Sequence, residues 1–212
     1  MFELDRDSPS HPRSEIIAPG KTQDDWKRFA ERLTPGGEAH LWAEAFDSFL
    51  LGRLRSRYLK PIRIIRETGG MEGEGFTIVS IQCALIEFLA AIRAGKNYRH
   101  RNPQGPYEYS ASRDLFVKFL FQTAPFSNFF SEADAGEYYS NVRCALLHEA
   151  RTKDGWIIWV NGSVPVDCQK KVIYRDKFQS VIESYVEDYG LNLTKEASLQ
   201  EAFLRKFNDL AA

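Results

Sequence analysis

Residues 76–94 read FTIVSIQCALIEFLAAIRA, and they form the most apolar segment of the 212-residue chain. Large aliphatic side chains recur there at helical spacing and small residues fill the other positions, which predicts a helix that is apolar nearly all round. Such a helix belongs at the centre of a bundle. Gln82 and Glu87 interrupt the segment, so no unbroken apolar run reaches the roughly 20 residues of a membrane span. We therefore expect no membrane partner.

Helical periodicity continues on both sides of this segment. The flanking helices are predicted near residues 22–33, 38–58, 112–124, 132–151, 176–189 and 195–210. Thr22 followed by Asp25 is typical of a helix N-cap, whereas Gly95 and Gly190 are typical of C-caps. Pro61 predicts a kink or an end in the second of these helices, with a turn or two beyond it.

The spacing of the apolar residues changes late in the chain. Residues 156–160 and 172–174 carry β-branched and aromatic side chains, with Asn161-Gly162 between the two runs. This pattern predicts a small β-hairpin inserted near residues 155–175. The resulting fold class is mainly α, a bundle of about five to seven helices with that insertion. We divide the chain into a flexible N-terminal arm, 1–21, and a single helical domain, 22–212.

Composition excludes several functional classes. The formal net charge of −1 provides no global attraction for polyanions, so a nucleic-acid surface would have to be a local patch. The three cysteines are widely spaced and we expect no secretory signal, which favours a cytoplasmic protein. The chain contains no CxxC or HxxxH pair, no phosphate-binding glycine loop and no serine elbow. We therefore expect neither a metal nor a cofactor.

The most informative segment for chemistry is 138–150, which reads YYSNVRCALLHEA. Arg143 and His148 lie five positions apart in an otherwise apolar helix. Histidine titrates near neutrality and serves as a general acid or base, and arginine binds phosphate oxygens through a planar fork. A five-residue step turns about 140° around an α-helix, so the two residues do not share a tight face. Two-fold pairing of such helices would bring two arginines and two histidines into one cleft.

This pair resembles the Arg-x4–6-His signature of the HEPN superfamily, helical-bundle domains found in RNA-cleaving toxins and defence proteins. The run Leu146-Leu147-His148-Glu149 is similar to a subset of the family in which it precedes a short β segment. The resemblance implies a HEPN-like bundle and a homodimer that cleaves RNA without metal, with Arg143 and His148 as catalytic residues. The products it implies are 2′,3′-cyclic phosphate and 5′-hydroxyl ends.

The resemblance also implies a biological role, and this chain departs from the family pattern at one position. The role is that of a toxin or an anti-phage defence effector, with RNA as substrate and an antitoxin or sensor protein as a further partner. Family members often carry a polar residue directly after the arginine, where this chain has Cys144. That departure bears on activity and not on the fold.

Further residues are candidates for supporting roles. Ser140 and Asn141 lie about one turn before the motif and can donate hydrogen bonds to phosphate. Glu87 is a lone acid in the central helix, where a buried charge needs a partner, and Arg143 is a natural candidate. Basic residues in two clusters are candidates for tracking an RNA backbone. They are Arg53, Arg57, Lys60, Arg63, Arg99 and Arg101.

Each of these residues also has a structural interpretation. Arg143 can pair with Glu87 or Glu137 inside the bundle, His148 can cap a helix C-terminus, and the basic clusters can form a solvated surface. Two other functions follow: a catalytically silent HEPN-like scaffold that binds RNA or protein, and an unrelated helical partner-binding protein. The separating observation is whether Arg143 and His148 face a common cleft or are satisfied within one protomer.

Overall fold

The computed structural model describes residues 15–70 and 72–212. Over these residues the chain forms seven helices and three small sheets, which confirms the mainly α class. The helices are α1 Gln23–Ala30, α2 39–68, α3 Glu74–Ala94, α4 Arg113–Gln122, α5 132–149, α6 Arg175–Leu193 and α7 Ala197–Leu210. One turn of 3₁₀-helix, Phe126–Asn128, follows α4.

Helix α2 contains two wide turns in which backbone hydrogen bonds run from residue i to residue i+5. Its α-helical parts alternate with π-helical parts in the order Ala39–Ala45, Phe46–Leu51 (π), Gly52–Leu54, Arg55–Leu59 (π) and Lys60–Thr68. In a regular α-helix the ring of Pro61 would clash with the carbonyl four residues earlier. The wide turn directly before it relieves this clash. The helix therefore continues past Pro61 instead of ending there.

Helix α5 carries the motif and also contains a wide turn. It consists of Glu132–Tyr138, the π-helical turn Tyr139–Cys144 and the short end Ala145–Glu149. Its start is capped by Ser131, whose hydroxyl accepts a 3.2 Å hydrogen bond from the backbone N–H of Asp134. The motif therefore spans the junction between a π-helical turn and the last α-helical turn.

Helix α3 lies in the core, and the amide nitrogen of its buried Gln82 is hydrogen-bonded inside the protein. Gln82 is fully buried, and its amide donates to the carbonyl of Arg175 at 2.9 Å and to the side chain of Gln179 at 3.1 Å. By length and composition α3 is nevertheless long and apolar enough to cross a membrane, with a mean hydropathy of 1.9 in its most apolar window, 56% of it buried in the fold. Core helices of soluble proteins meet the same criterion.

Aromatic side chains dominate the core in two clusters. The first joins α1, α2 and α7 through Trp26, Trp42, Phe49, Phe203 and Phe207. The second joins α4, α5 and α6 through Phe116, Phe119, Phe126, Tyr138, Phe178 and Tyr185. Rings of this size bury large apolar areas, and most of these contacts are tilted or edge-on, while Phe116 and Tyr138 are stacked. The clusters hold the first and last helices of the chain against the centre.

The cap predictions at two positions are confirmed and at a third are wrong. The Thr22 hydroxyl accepts from the N–H of Asp25, whose carboxylate accepts in return from the N–H of Thr22. Gly95 ends α3 with a left-handed φ of 59°. Gly190 does not end α6, which continues beyond it. A β-carbon there would lie 2.6 Å from the ring of Phe46, so glycine permits the close approach of α2 and α6.

The β structure differs from the predicted hairpin. The strands are β1 Ile16–Ala18, β2 Lys21–Thr22, β3 Asn97–Tyr98, β4 Glu108–Tyr109, β5 Ile157–Trp159, β6 Val166–Asp167 and β7 Val172–Tyr174. The last three form one sheet in the order β5-β7-β6, in which β5 and β7 are parallel and β6 pairs antiparallel to β7. The hairpin turn therefore lies between β6 and β7. The connection after β5 carries the chain to the far side of the sheet, where it forms β6, and β7 then returns between β5 and β6.

The predicted N-terminal arm, 1–21, lies partly outside the described residues, since 1–14 are not described. Its remaining part is integrated into the fold. Ile17 and Ala18 in β1 are 2% and 1% exposed. The guanidinium of Arg53 donates to the carbonyl of Ile17 at 2.7 Å, and that of Arg57 donates to the carbonyl of Ile16 at 2.9 Å. Residues 15–21 therefore belong to the helical domain.

Candidate functional site

A groove of about 560 Å³ opens where α2, α3, α5 and α7 meet strands β3 and β4. We call it the motif groove, because both Arg143 and His148 line it. The other lining residues are Arg53, Ala84, Glu87, Phe88, Tyr98, Tyr109, Ser110, Ala111, Ser112, Tyr139, Leu147, Lys206 and Leu210. Among the predicted site residues, the fold thus brings Arg53, Glu87, Arg143 and His148 together.

Arg143 is held in the groove by an ion pair. Its Nη2 donates to Oε2 of Glu87 at 2.7 Å, and the two side chains are 19% and 20% exposed. The guanidinium also lies 5.4 Å from the ring centroid of Tyr139, and Nη1 lies 3.9 Å from Sγ of Cys144. Burial disfavours the charged form, but Glu87 outweighs it and raises the pKa of Arg143 above its ordinary value. The predicted pairing with Glu87 is confirmed.

His148 is exposed on the last turn of α5. Within the part of the chain that the structure describes, its imidazole makes no hydrogen bond or ion pair, including none to a helix carbonyl. The helix ends at Ala150, which adopts a left-handed φ of 53°. The two residues are five positions apart and were expected on different faces of the helix, but both line the motif groove.

Ser140 and Asn141 do not reach the motif groove. They line a second groove together with the acidic side chains of Glu132 and Glu137. In a turn closed by i to i+5 hydrogen bonds, residues two or three positions apart lie about half a turn apart. The π-helical turn therefore directs them away from Arg143, into a groove that Arg113 also lines.

The basic residues of α2 are divided among three places. Arg53 and Arg57 anchor β1, and Arg53 also reaches the motif groove, where its guanidinium lies 5.6 Å from the ring centroid of Phe88. Lys60 and Arg63 line a separate groove of about 650 Å³, together with Arg55 and Arg66. The predicted cluster is therefore not one continuous surface.

Arg99 and Arg101 also have different surroundings. Arg99 donates from Nε to Glu108 at 2.8 Å and from Nη1 to Asp209 at 3.2 Å, so it ties α7 to the strands around β3. Its hydrogen bond to Asp209 is the main reason that the pKa of Arg99 is raised. Arg101 is exposed in the loop between β3 and β4. Only Arg101 of this pair has the exposure that the RNA-binding prediction assumed.

Three further residues, Lys206, Tyr109 and Tyr139, line the motif groove and were not predicted from the sequence. The sequence does mark Lys206 as unusual. It lies on the apolar stripe of α7 between Phe203 and Phe207, where a lysine interrupts a core-facing pattern. The tyrosines carried no such signal, because their place depends on how β4 and α5 meet.

Two of the three cysteines, Cys83 and Cys168, do not add a reactive centre. Burial raises the pKa of Cys83 to about 12, and its thiol contacts the hydroxyl of Tyr138 at 3.7 Å. Burial, together with nearby carboxylates, raises the pKa of Cys168 to about 12. Both thiols therefore stay protonated near neutral pH. Over residues 15–70 and 72–212, no group of three histidine, cysteine or acidic side chains is placed to hold a metal ion.

Comparison with known proteins found no matching family model, no similar curated protein and no similar solved structure. The function must therefore be inferred from the geometry of the motif groove and from the spacing of Arg143 and His148.

Proposed function

We propose that this protein is a HEPN-type, metal-independent endoribonuclease that acts as a homodimer. The observation that carries the proposal is that Arg143 and His148 line one groove, the arginine charged and the histidine exposed. Most of the remaining polar lining is cationic or aromatic, which suits the phosphates and bases of single-stranded RNA.

The chemistry requires three groups. The ribose 2′ oxygen attacks the adjacent phosphorus, and the bond to the 5′ oxygen breaks, which leaves the cyclic phosphate and a 5′ hydroxyl. A base takes the 2′ proton, an acid protonates the 5′ oxygen, and a cation stabilises the charged phosphorane. In this proposal His148 exchanges one of these protons with the substrate.

Arg143 is suited to the cation role because its ion pair leaves donors available. The guanidinium has five N–H donors, and only Nη2 is committed to Glu87. Nη1 has a weak contact to sulfur, so it can turn to a phosphate oxygen while Glu87 fixes the plane of the fork.

The homodimer supplies the second acid–base group. One protomer places one histidine in its motif groove, whereas general acid and general base catalysis together need two titratable groups. Leu147 lies beside His148 and is 63% exposed, although it is apolar. A two-fold contact along α5 would bury Leu147 and bring a second copy of the groove alongside the first.

The first test is cleavage of mixed structured and single-stranded RNAs by the purified protein in EDTA. We expect the wild type to leave 2′,3′-cyclic phosphate ends and Arg143→Ala and His148→Ala to be inactive. Matched controls are Arg28→Ala and His40→Ala, which remove an exposed arginine and an exposed histidine away from the groove. Equal cleavage by all five proteins would contradict the assignment of the site.

The second candidate is the catalytically silent scaffold that binds RNA or a protein. One observation favours it: Arg143 is already satisfied by Glu87 in a single protomer. A folded dimer that binds RNA without cleaving it would establish this function. For the active enzyme we propose a cytoplasmic toxin or anti-phage effector that is controlled by an antitoxin or a sensor protein.

A further inference from the structure

Lys206 is a largely buried lysine with no ion-pair partner within residues 15–70 and 72–212. Its residue is 6% exposed, it lies among the core-facing side chains of α7, and it lines the motif groove. Within residues 15–70 and 72–212, no carboxylate lies within 4.0 Å of its ammonium group and no hydrogen bond engages it. Buried charges are costly unless paired. An anion that enters the groove would pair with the ammonium group of Lys206 and offset this cost.

The surroundings of Lys206 strengthen this argument. Asp209 is the nearby acid, but Arg99 holds it through two hydrogen bonds. Burial lowers the pKa of Lys206, and the positive charges of Arg53 and Arg99 lower it further, although Asp209 opposes them. Asp209 therefore compensates the ammonium group only in part.

A second cation lies in the same groove. Arg53 donates from Nη1 to the carbonyl of Ile17, and burial and the nearby Arg57 lower its pKa to about 10. The one acid among the lining residues is Glu87, and it is engaged by Arg143. The groove therefore holds positive charge that nothing within it neutralises.

An aromatic side chain stands at the edge of this positive region. Tyr98 is 50% exposed and packs edge-on against Tyr109, with ring centroids 5.6 Å apart. A rigidly held, exposed ring beside unneutralised cations is the combination that single-stranded nucleic-acid sites use, because bases stack on the ring while phosphates meet the charges.

We propose that Lys206 and Arg53 form a phosphate-binding subsite that holds a phosphodiester of single-stranded RNA next to the one at Arg143, with a base stacked on Tyr98. The inference rests on the proposed function for the identity of the ligand. It assigns to Lys206 and Arg53 a role in binding and none in the chemical step.

The test measures binding of a fluorescent, single-stranded 2′-O-methyl RNA, which cannot be cleaved because its 2′ oxygen is blocked. We expect Lys206→Met to weaken binding about tenfold and to reduce the dependence of log Kd on log salt by about 1. The matched control is Lys195→Met, which removes the same charge at an exposed position outside the groove. The melting temperature of Lys206→Met should rise, because an unpaired buried charge is lost.

A second pair of variants tests the aromatic part without disturbing the core. Tyr98 and Tyr107 are 50% and 47% exposed, and only Tyr98 lines the motif groove. We expect Tyr98→Leu to weaken binding of the same probe by about tenfold and Tyr107→Leu to leave it unchanged. If Lys206→Met does not fold, the comparison of Tyr98→Leu with Tyr107→Leu tests whether the subsite binds RNA.

The failures of the subsite and of the nuclease are distinguishable. No binding of the probe by wild type, or equal affinities for Lys206→Met and wild type, would overturn the subsite even if RNA is cleaved. Lys206-dependent binding without any cleavage of ordinary RNA would support the subsite and count against the nuclease.

Discussion

Glu87 has two effects on Arg143 that a single substitution separates. It stabilises the half-buried guanidinium, and it also places a negative charge where a phosphate would bind. We expect Glu87→Gln to lower the free energy of unfolding by about 1–3 kcal/mol, because a partly buried charge loses its partner. The same change should tighten binding of 2′-O-methyl RNA, because repulsion of the phosphate is removed.

Urea denaturation and fluorescence anisotropy measure these two effects. Glu67→Gln is the control, since Glu67 makes a 4.0 Å exposed pair with Arg63 and should change stability by less than about 1 kcal/mol. Equal stability of the two variants, or weaker RNA binding by Glu87→Gln, would contradict the account of Glu87.

At the residue scale, prediction from sequence succeeded where a charged residue interrupts the apolar pattern of its helix. Glu87 is a lone acid in an apolar helix, and its pairing with Arg143 was predicted correctly. Lys206 is equally out of place in α7, but its consequence depends on which groups surround it in space. Ser140 and Asn141 were predicted to support the site from their distance along the chain, but they line a different groove.

At the scale of elements, the apolar periodicity predicted the helices, but tertiary contacts decided where some of them end. Gly190 shows this most directly. It lies inside α6, and a β-carbon there would lie 2.6 Å from the ring of Phe46. We expect Gly190→Ala to lower the free energy of unfolding by about 1–3 kcal/mol, because Phe46 must leave its packed position.

The matched control is another helical glycine. At Gly52 a β-carbon would meet its nearest neighbours at 3.6 Å, which is ordinary contact. Gly52→Ala should therefore raise stability by up to about 1 kcal/mol, because alanine favours helix. Thermal unfolding of both variants measures the difference, and a stabilising Gly190→Ala would show that α2 and α6 are not closely packed there.

At the scale of the whole molecule, the motif groove could not be predicted, because its walls come from distant parts of the chain. Arg53, Tyr98, Arg143 and Lys206 belong to four different elements that meet only in the folded bundle. The same limit applied to the sheet, in which β5 pairs with β7 across a connection that sequence pattern alone assigned to a hairpin. Local patterns predict elements, whereas a site built from several elements needs their packing.

The proposed dimer makes a last prediction, which concerns two inactive variants mixed together. A hybrid dimer of Arg143→Ala and His148→Ala keeps one arginine and one histidine, so a shared cleft retains the cation and one of its two acid–base groups, whereas Arg143→Ala alone has no cation and His148→Ala alone has no histidine. We expect the mixture to cleave RNA measurably, although less than the wild type, while each variant alone is inactive. If each groove acts by itself, no groove in the hybrid is intact and the mixture stays inactive. Light scattering must show a dimer for each variant, and Leu147→Glu should separate the copies and abolish rescue, because it places a charge on the apolar rim beside His148.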